Sequence, residues 1–282
     1  MSVRVEKHEG WAEISLAQPE RRNALSEESL HELAEAIRTL DRGRDVSAIL
    51  LRGDGPDFCT GYYGGTGMHS DTATFDGDIA VLERTQQHLF AVMDCHIPVV
   101  ARLHGRCIAG GTDLAFMCDM VYATRDAQIG FPPTRDVGSP PSPMWLYHVG
   151  PQWARRLLLS GDLILGEDAA KIGLVLKALD EEALDREIRA LMQRLGRIDR
   201  DLLAAQKRSV AIGLELMGAR TMLRFGSELD ARAHQAPAAA ALLDPSATFD
   251  PKAIVAKRKE NFGTGFLKVD VADETDEHGR LI

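Results

Sequence analysis

Two short apolar runs constrain the fold of this 282-residue chain more than any other feature. VSAILLRG at 46–53 and IPVVARLHG at 97–105 are nearly continuous and bounded by polar residues, which is typical of strands buried on both faces of a sheet. An amphipathic helix precedes the first run, because Ser26 is a good N-cap and the apolar residues after it fall on one helical face. Alternating buried strands and helices predict an α/β protein.

The segments around these runs extend the same prediction. Alternating polar and apolar residues on both sides of Gly10 predict an N-terminal hairpin. A helix is expected over about 78–94, and another is expected to begin near Gly110. The stretches MVYAT and AQIGF predict two further short strands, and the chain after about residue 151 is mostly helical in pattern.

Composition excludes several classes of function. The net charge of −9 argues against a nucleic-acid or anionic-membrane partner, and no apolar run approaches the roughly 20 residues that span a bilayer. The four cysteines include no CxxC pair, and no spaced His, Cys, Asp or Glu cluster predicts a metal site. The N-terminal stretch lacks the apolar core of a signal peptide. A cytoplasmic protein without a metal is therefore expected.

Each of the two apolar runs leads into a glycine-containing loop. FCTGYYGG occupies 58–65 and CIAGGTD occupies 107–113. Neither GxGxxG nor GxxxxGK[ST] stands at a strand-to-helix junction, which argues against a dinucleotide or phosphate loop. Backbone N–H groups that converge from two such loops can instead stabilise an oxyanion, contributing roughly 3 to 4 kcal/mol per donor.

Five motifs, which include the two glycine loops, occur one after another along the chain. They are PERRNALS near the amino terminus, DFCTGYYGG, IPVVARLHGRCIAGGTDLAFMCDMVYAT, AQIGFPP, and RRLLLSGDLILGEDAAKIGLV. Their order and spacing over about residues 12–180 resemble those of the crotonase superfamily, the enoyl-CoA hydratases and isomerases. Each motif alone is weak, and the resemblance rests on all of them together.

The resemblance implies a crotonase-like spiral of ββα units with a C-terminal helical trimerisation region. The implied division is a spiral core with the acyl-CoA site at 1–199 and a helical oligomerisation region at 200–266. The acidic composition of 267–282 predicts a poorly ordered tail there. The implied ligand is a coenzyme A thioester, bound as substrate without a tightly bound cofactor. The implied assembly is a homotrimer or a dimer of trimers.

Catalytic residues carry over only in part. The N–H groups of Tyr62 and Gly110 correspond to the family's oxyanion hole, and Asp113 falls where hydratases have their first catalytic glutamate. Pro133 occupies the place of the second glutamate and cannot transfer a proton. Asp136, three residues later, is a candidate substitute, although an exposed loop acid is the simpler reading. A histidine, His69 or His88, is the other candidate, with a surface or packing role as its alternative. Asp113 likewise has an alternative role as a first-turn acid that complements the helix dipole.

The resemblance also implies a set of ligand-binding positions. Tyr62 replaces the family's usual alanine, so a reshaped acyl pocket with an aromatic wall is expected. Lys257 lies in a basic C-terminal segment, for which a solvated helix face is an alternative interpretation. The implied positions are Arg22, Ala24, Gly61, Tyr62, Tyr63, Gly110 and Lys257.

Three functions therefore remain open from the sequence. The first is hydration of an enoyl-CoA, which is common in the family. The second is chemistry that needs one acid, such as double-bond isomerisation or hydrolysis of an unusual acyl-CoA. The third is a scaffold that binds acyl-CoA without turnover, which the loss of glutamate at Pro133 would permit.

Overall fold

The computed structural model describes residues 1–63, 74–243 and 250–282. The end of the first glycine loop, residues 64 and 65, lies outside these ranges. The strands are β1 Val3–Lys7, β2 Gly10–Leu16, β3 Val46–Gly53, β4 Val99–Leu103, β5 Arg106–Ile108, β6 Met120–Thr124, β7 Gln128–Gly130, β8 Ile164–Leu165 and β9 Lys177–Leu179. The helices are α1 Glu27–Arg42, α2 Phe75–Asp94, α3 Gly110–Ala115, α4 Trp145–Ser160, α5 Gly166–Lys171, α6 Glu181–Leu195, α7 Arg200–Leu216, α8 Ala219–His234, α9 Pro237–Leu243 and α10 Pro251–Phe262.

Six strands form the main sheet in the order β1-β2-β3-β4-β6-β9. The predicted hairpin is confirmed, because β1 and β2 pair antiparallel, and the remaining neighbours in this sheet pair parallel. Both apolar runs are confirmed as strands, and they pair with each other through Ile49 opposite Val99 and Leu51 opposite Ala101. Since neighbouring parallel strands end at the same edge of a sheet, the loops after β3 and β4 leave from one edge.

Helices cover the sheet as their apolar residues predict. The N-cap of α1 is Ser26, whose side chain accepts the backbone N–H of Ser29, and the apolar face of this helix is buried. Helix α2 begins at Phe75, three residues before the predicted start at 78, because the Thr74 hydroxyl accepts the Gly77 N–H and caps the helix there. A second sheet of three strands, in the order β5-β7-β8, adjoins the main sheet.

The acidic C-terminal segment has more contacts than its composition suggests. The sequence predicts a poorly ordered tail at 267–282, but Leu267 and Leu281 are buried, and the Leu267 N–H donates to the Leu163 carbonyl at 2.8 Å. Asp273 also accepts a hydrogen bond from Arg156 at 2.9 Å. Two buried apolar residues and ion pairs from Arg156 and Lys171 therefore hold this otherwise polar segment against the core.

The C-terminal helices leave apolar side chains in contact with solvent. Helix α7 buries none of its residues in the single chain. Large exposed apolar residues on α7, on α8 and between them are Leu202, Val210, Ile212, Leu216, Met217, Phe225 and Leu229. No helix in the described part of the chain combines the length and apolar character that crossing a bilayer requires.

Candidate active site

The two glycine loops run side by side at the edge of the main sheet. The Cys59 N–H donates to the Arg106 carbonyl at 3.0 Å, and the Ile108 N–H donates to the Cys59 carbonyl at 3.1 Å. These two bonds form a parallel bridge between Cys59 and Cys107. The residues that follow, Gly61 and Tyr62 in one loop and Gly110 in the other, are thereby brought to the same place.

Gly61 allows the closest approach of these loops. Its φ of +107° lies in the region that favours glycine. A Cβ atom at this position would lie 2.9 Å from the Ala109 Cβ and 3.5 Å from the Gly110 nitrogen. Among the described residues, neither the Tyr62 N–H nor the Gly110 N–H finds a hydrogen-bond acceptor. The loops therefore approach most closely at two backbone N–H groups that have no acceptor in the described part of the chain.

The backbone immediately before α3 is strained. Ala109 has φ 52° and ψ −126°, which is unusual for a residue with a side chain. The Thr112 hydroxyl and N–H both donate to the Ala109 carbonyl, at 2.6 and 2.8 Å, and the Ala109 N–H donates to the Gly130 carbonyl. Such conformations cost about 1 to 3 kcal/mol and concentrate at functional sites. Here the strained peptide sets the direction of the Gly110 N–H.

Asp113 lies one turn into α3 and is fully buried. One carboxylate oxygen accepts the Tyr62 hydroxyl at 2.9 Å, while the other, Oδ1, has no hydrogen-bond partner among the described residues. Burial raises the pKa of the Asp113 carboxyl well above its usual range, the Tyr62 hydrogen bond opposes this rise, and the charge of Asp230 adds to it. An acid that only complemented a helix dipole would be favoured in its ionised form. The burial of Asp113 favours an acid–base role instead.

From the sequence, the Tyr62 side chain is expected only to form a wall of the acyl pocket. Its ring covers Gly110 so closely that a Cβ there would lie 2.7 Å from two ring atoms. Loss of solvation raises the pKa of the Tyr62 phenol well above its usual value, and the charge of Asp113 acts in the same direction. The bond from this phenol to Asp113 is the feature that sequence reasoning missed. Its one signal was a hydroxyl-bearing residue in the place of alanine.

The structure does not bring Asp136 to Asp113. Asp136 follows a short turn, Pro132–Arg135, and its carboxylate accepts the Arg258 Nε–H at 2.8 and 3.1 Å, so it is bound to α10. Pro133 has no side-chain group that could transfer a proton. Its carbonyl accepts the backbone N–H groups of Val137 and Gly138. Asp136 therefore does not provide a second carboxyl beside Asp113.

Most of the predicted ligand-binding positions do meet. The Leu25 N–H donates to the Gly61 carbonyl at 2.7 Å, and the Tyr63 N–H donates to the Leu25 carbonyl at 2.8 Å, which places Ala24 beside the first loop. The Arg22 carbonyl accepts the Thr60 N–H, and the Arg21 guanidinium lies 4.8 Å from the Tyr63 ring centroid. Lys257 is the exception, since it projects from an exposed face of α10.

No metal site accompanies these groups in the described ranges 1–63, 74–243 and 250–282, where no cluster of three His, Cys, Asp or Glu side chains is suited to hold an ion. The cysteines beside the loops are buried thiols, and burial raises the pKa of Cys59 to about 12. A thiol of this kind is protonated at neutral pH and is a poor nucleophile. The polar groups that the described residues place at the two loops are backbone N–H groups, one phenol and one carboxyl.

Comparison with known proteins gives a consistent result. A family model for enoyl-CoA hydratase/isomerase matches residues 6–240. A probable enoyl-CoA hydratase of Rhodobacter capsulatus is 32% identical over 221 residues, which cover 76% of this chain and 82% of that protein. The peroxisomal Delta(3,5)-Delta(2,4)-dienoyl-CoA isomerase of Arabidopsis thaliana is 29% identical over 198 residues, 65% of this chain and 70% of its own.

Solved structures resemble the fold closely. The crystal structure of an enoyl-CoA hydratase from Mycobacterium smegmatis superimposes with a TM-score of 0.88 at 30% identity, covering 96% of this chain and 98% of that one. An enoyl-CoA hydratase/isomerase from Xanthobacter autotrophicus gives a TM-score of 0.85 at 30% identity over 93% and 98% of the two chains. The α/β fold and the family predicted from the motifs are confirmed. The chain belongs to the enoyl-CoA hydratase/isomerase family of the crotonase superfamily.

Proposed function

We propose that this protein is an acyl-CoA enzyme that stabilises a thioester enolate with the backbone N–H groups of Tyr62 and Gly110. Asp113 is its acid–base group. The observation that carries the proposal is the fully buried Asp113 carboxyl, one turn after Gly110 and hydrogen-bonded to Tyr62 at 2.9 Å. Relatives named as enoyl-CoA hydratases and dienoyl-CoA isomerases support a coenzyme A thioester as substrate. The chemistry needs no tightly bound cofactor.

The reaction that fits one carboxyl is double-bond isomerisation. The Asp113 carboxylate removes a proton from the α-carbon of a 3-enoyl thioester, and the electron pair moves onto the thioester oxygen, where the two N–H groups stabilise it. The resulting acid returns the proton to the γ-carbon as the charge collapses, which gives the 2-enoyl thioester. One proton leaves and one is returned, so no co-reactant is consumed.

Hydration is the less suitable reaction for this site. It requires a group that activates water in addition to the group that protonates carbon. Among the described residues, Pro133 cannot act in this way and Asp136 is bound to Arg258 on α10. His69 lies outside those residues. The decisive assay compares isomerisation of a 3-enoyl-CoA with addition of water to crotonyl-CoA. We expect isomerisation with negligible hydration, and hydration at a comparable rate would contradict the proposal.

The pH dependence of turnover follows from the environment of Asp113. The base must be ionised, and burial raises the pKa of its carboxyl well above the usual range. The value of kcat/KM is therefore expected to fall as pH falls through a pKa higher than that of an exposed carboxyl. Tyr62→Phe removes the hydrogen bond that lowers this pKa, so its acid limb should move to higher pH.

The matched control for Tyr62→Phe is Tyr147→Phe, which removes a hydroxyl whose bond is to the Met217 carbonyl at 3.3 Å. Its pH profile should coincide with that of the unmodified protein. A Tyr62→Phe profile that does not move, or that moves to lower pH, would show that the phenol does not stabilise the Asp113 carboxylate.

A binding scaffold without turnover is the second candidate. The Tyr62 ring favours it, because the ring packs directly on Gly110, whose N–H is one of the two proposed donors. Calorimetry with a panel of acyl-CoA thioesters separates the two functions. Binding without any turnover would support the scaffold. If the protein is instead an enzyme whose turnover is limited by movement of the Tyr62 ring, the rate should increase in Tyr62→Ala.

We also propose that residues 200–266 mediate assembly into a homotrimer or a dimer of trimers around the core at 1–199. The apolar residues that α7 and α8 expose in the single chain support this assembly, since covering them would remove apolar area from water. Sedimentation is expected to give a trimer or larger at micromolar concentration. A stable monomer would contradict it.

A further inference from the structure

Among the described residues, three ionisable side chains cluster in the interior between α2 and α8. Asp78 on α2 and Asp230 and His234 on α8 are each at most 7% exposed. The His234 Nδ1 is 2.7 Å from Asp78 Oδ2, and its Nε2 is 3.4 Å from Asp230 Oδ1. Ionisable groups are costly to bury, and the mechanism described above uses none of these three.

The loop 138–143 connects this cluster to Asp113. At its beginning, the Ser139 N–H donates to Asp230 Oδ1 at 2.8 Å, and a Cβ on Gly138 would collide with the same carboxylate. Further along, the Ser142 N–H faces Asp113 and favours its carboxylate, although Asp113 Oδ1 gains no regular hydrogen bond from it. One short segment of backbone therefore touches Asp230 at one point and faces Asp113 at another.

The loop is held in this position by α2 and α8. The Gln86 side chain donates to the Pro141 carbonyl at 2.8 Å and to the Leu223 carbonyl at 2.6 Å. A Cβ on Gly226 would lie 2.7 Å from the Pro143 Cδ, so α8 packs directly on the loop. The spatial relation between Asp230 and Asp113 is thus fixed by packing on both sides.

Unpartnered polar atoms accompany the loop. Among the described residues, the hydroxyls of Ser139, Ser142 and Ser227 and Oδ1 of Asp113 are buried without a hydrogen-bond partner. Ser227 precedes Asp230 by three residues, so both lie on the same side of α8. A buried polar atom without a partner costs about 1 to 3 kcal/mol. Four such atoms of the described residues therefore accompany the loop between Asp230 and Asp113.

The charges in this region act on one another. Burial raises the pKa of Asp230 to about 7, the charge of His234 opposes this rise, and that of Asp78 adds to it. Burial lowers the pKa of His234, but its hydrogen bond to Asp78 and the charge of Asp230 outweigh this and raise it. The charge of Asp230 in turn raises the pKa of both Asp113 and Tyr62.

We propose that Asp230, held by His234 and Asp78, is a positioning residue for Asp113, to which the loop 138–143 connects it. It acts through its charge on Asp113 across the serine-containing loop and does not touch the substrate. A negative Asp230 makes Asp113 a stronger base for removal of the α-proton. The expected effect on the pH dependence of turnover rests on the proposed function. The electrostatic coupling between Asp230 and Asp113 does not.

Asp230→Asn tests this coupling. The variant keeps an oxygen that can accept the Ser139 N–H and removes only the charge. The acid limb of kcat/KM is expected to move to lower pH by about 1 unit. The matched control is Asp168→Asn, a buried carboxyl on α5 that pairs with Lys171 at 2.7 Å, and its limb should stay in place.

A second readout does not depend on turnover. The infrared stretching band of the protonated Asp113 carboxyl, assigned by its loss in Asp113→Asn, is followed as pH rises. Its midpoint should move down in Asp230→Asn by the same amount as the kinetic limb. Movement of the band in a protein that turns over no acyl-CoA would support the coupling while overturning the proposed function.

His234→Gln provides a second variant in case Asp230→Asn does not fold. Without the cationic imidazole, Asp230 stays neutral to higher pH, so the Asp113 midpoint should again move down. If both the kinetic limb and the infrared midpoint stay unchanged in a folded Asp230→Asn or His234→Gln variant, the cluster is structural and the proposal is overturned.

Discussion

Asp113→Asn is expected to lower kcat for isomerisation by about 10²- to 10⁴-fold, the usual contribution of a positioned acid–base group. An amide can still accept the Tyr62 hydroxyl at the position of Oδ2, but it can neither remove nor return a proton. KM should change little, because the substitution leaves intact the backbone N–H groups that we propose as donors to the thioester oxygen. The measurement is steady-state kinetics with a 3-enoyl-CoA.

Asp136→Asn is the control for this variant. Its carboxylate bonds to Arg258 on α10, so we expect kcat to fall far less than in Asp113→Asn. Equal losses in the two variants would place Asp136 in the chemistry, and unchanged activity in Asp113→Asn would exclude Asp113 as the acid–base group.

Folding stability separates a catalytic loss from a structural one. Because burial raises the pKa of Asp113 in the folded state, its contribution to stability is complete below the unfolded pKa and is lost as pH rises through the folded pKa. Asp113→Asn should therefore not lower the free energy of unfolding at alkaline pH. A variant that is inactive yet at least as stable there would be typical of a functional residue that the fold does not need.

Gly61→Ala is expected to have the second large effect, a loss of about 10²- to 10³-fold in kcat, which is typical of removing one oxyanion donor. The new Cβ would lie 2.9 Å from the Ala109 Cβ and 3.5 Å from the Gly110 nitrogen, so the two loops must separate. The positive φ of +107° adds a destabilisation of about 1 to 3 kcal/mol. Kinetics and chemical denaturation measure the two effects.

Gly279→Ala distinguishes backbone strain from loss of the donor pair. Gly279 also has a positive φ, +74°, but a Cβ there would meet no atom within 4 Å. We expect this control to lose stability and keep its kcat. Normal turnover in Gly61→Ala would mean that the distance between the loops does not matter for catalysis.

The convergence of the loops could be predicted from the sequence. Two buried apolar runs implied neighbouring strands, and their ends had to meet at one edge if the strands were parallel, as β3 and β4 are. The resemblance then added Asp113 and the two N–H groups. Local pattern and motif order were sufficient for the fold and for the meeting of the two loops, whereas the catalytic roles of these groups stay predictions.

The other side-chain contacts of the candidate site and its surroundings join residues far apart in the sequence, and no local pattern encodes them. The Tyr62 hydroxyl and Asp113 are 51 residues apart, and their bond depends on where one side chain points. Asp78 and His234 are 156 residues apart and meet only because α2 and α8 pack together. The pairing of Asp136 with Arg258 likewise needed the position of α10, which the sequence does not specify.

Hydrogen exchange at carbon tests the central claim most directly. A saturated acyl-CoA is incubated with the protein in D₂O, and deuterium at the carbon next to the thioester is measured by mass spectrometry. If the N–H groups of Tyr62 and Gly110 stabilise the enolate and Asp113 moves the proton, deuterium should enter at that carbon with the unmodified protein and be nearly absent with Asp113→Asn. Bound acyl-CoA that gains no deuterium, or equal exchange in both proteins, would contradict the account.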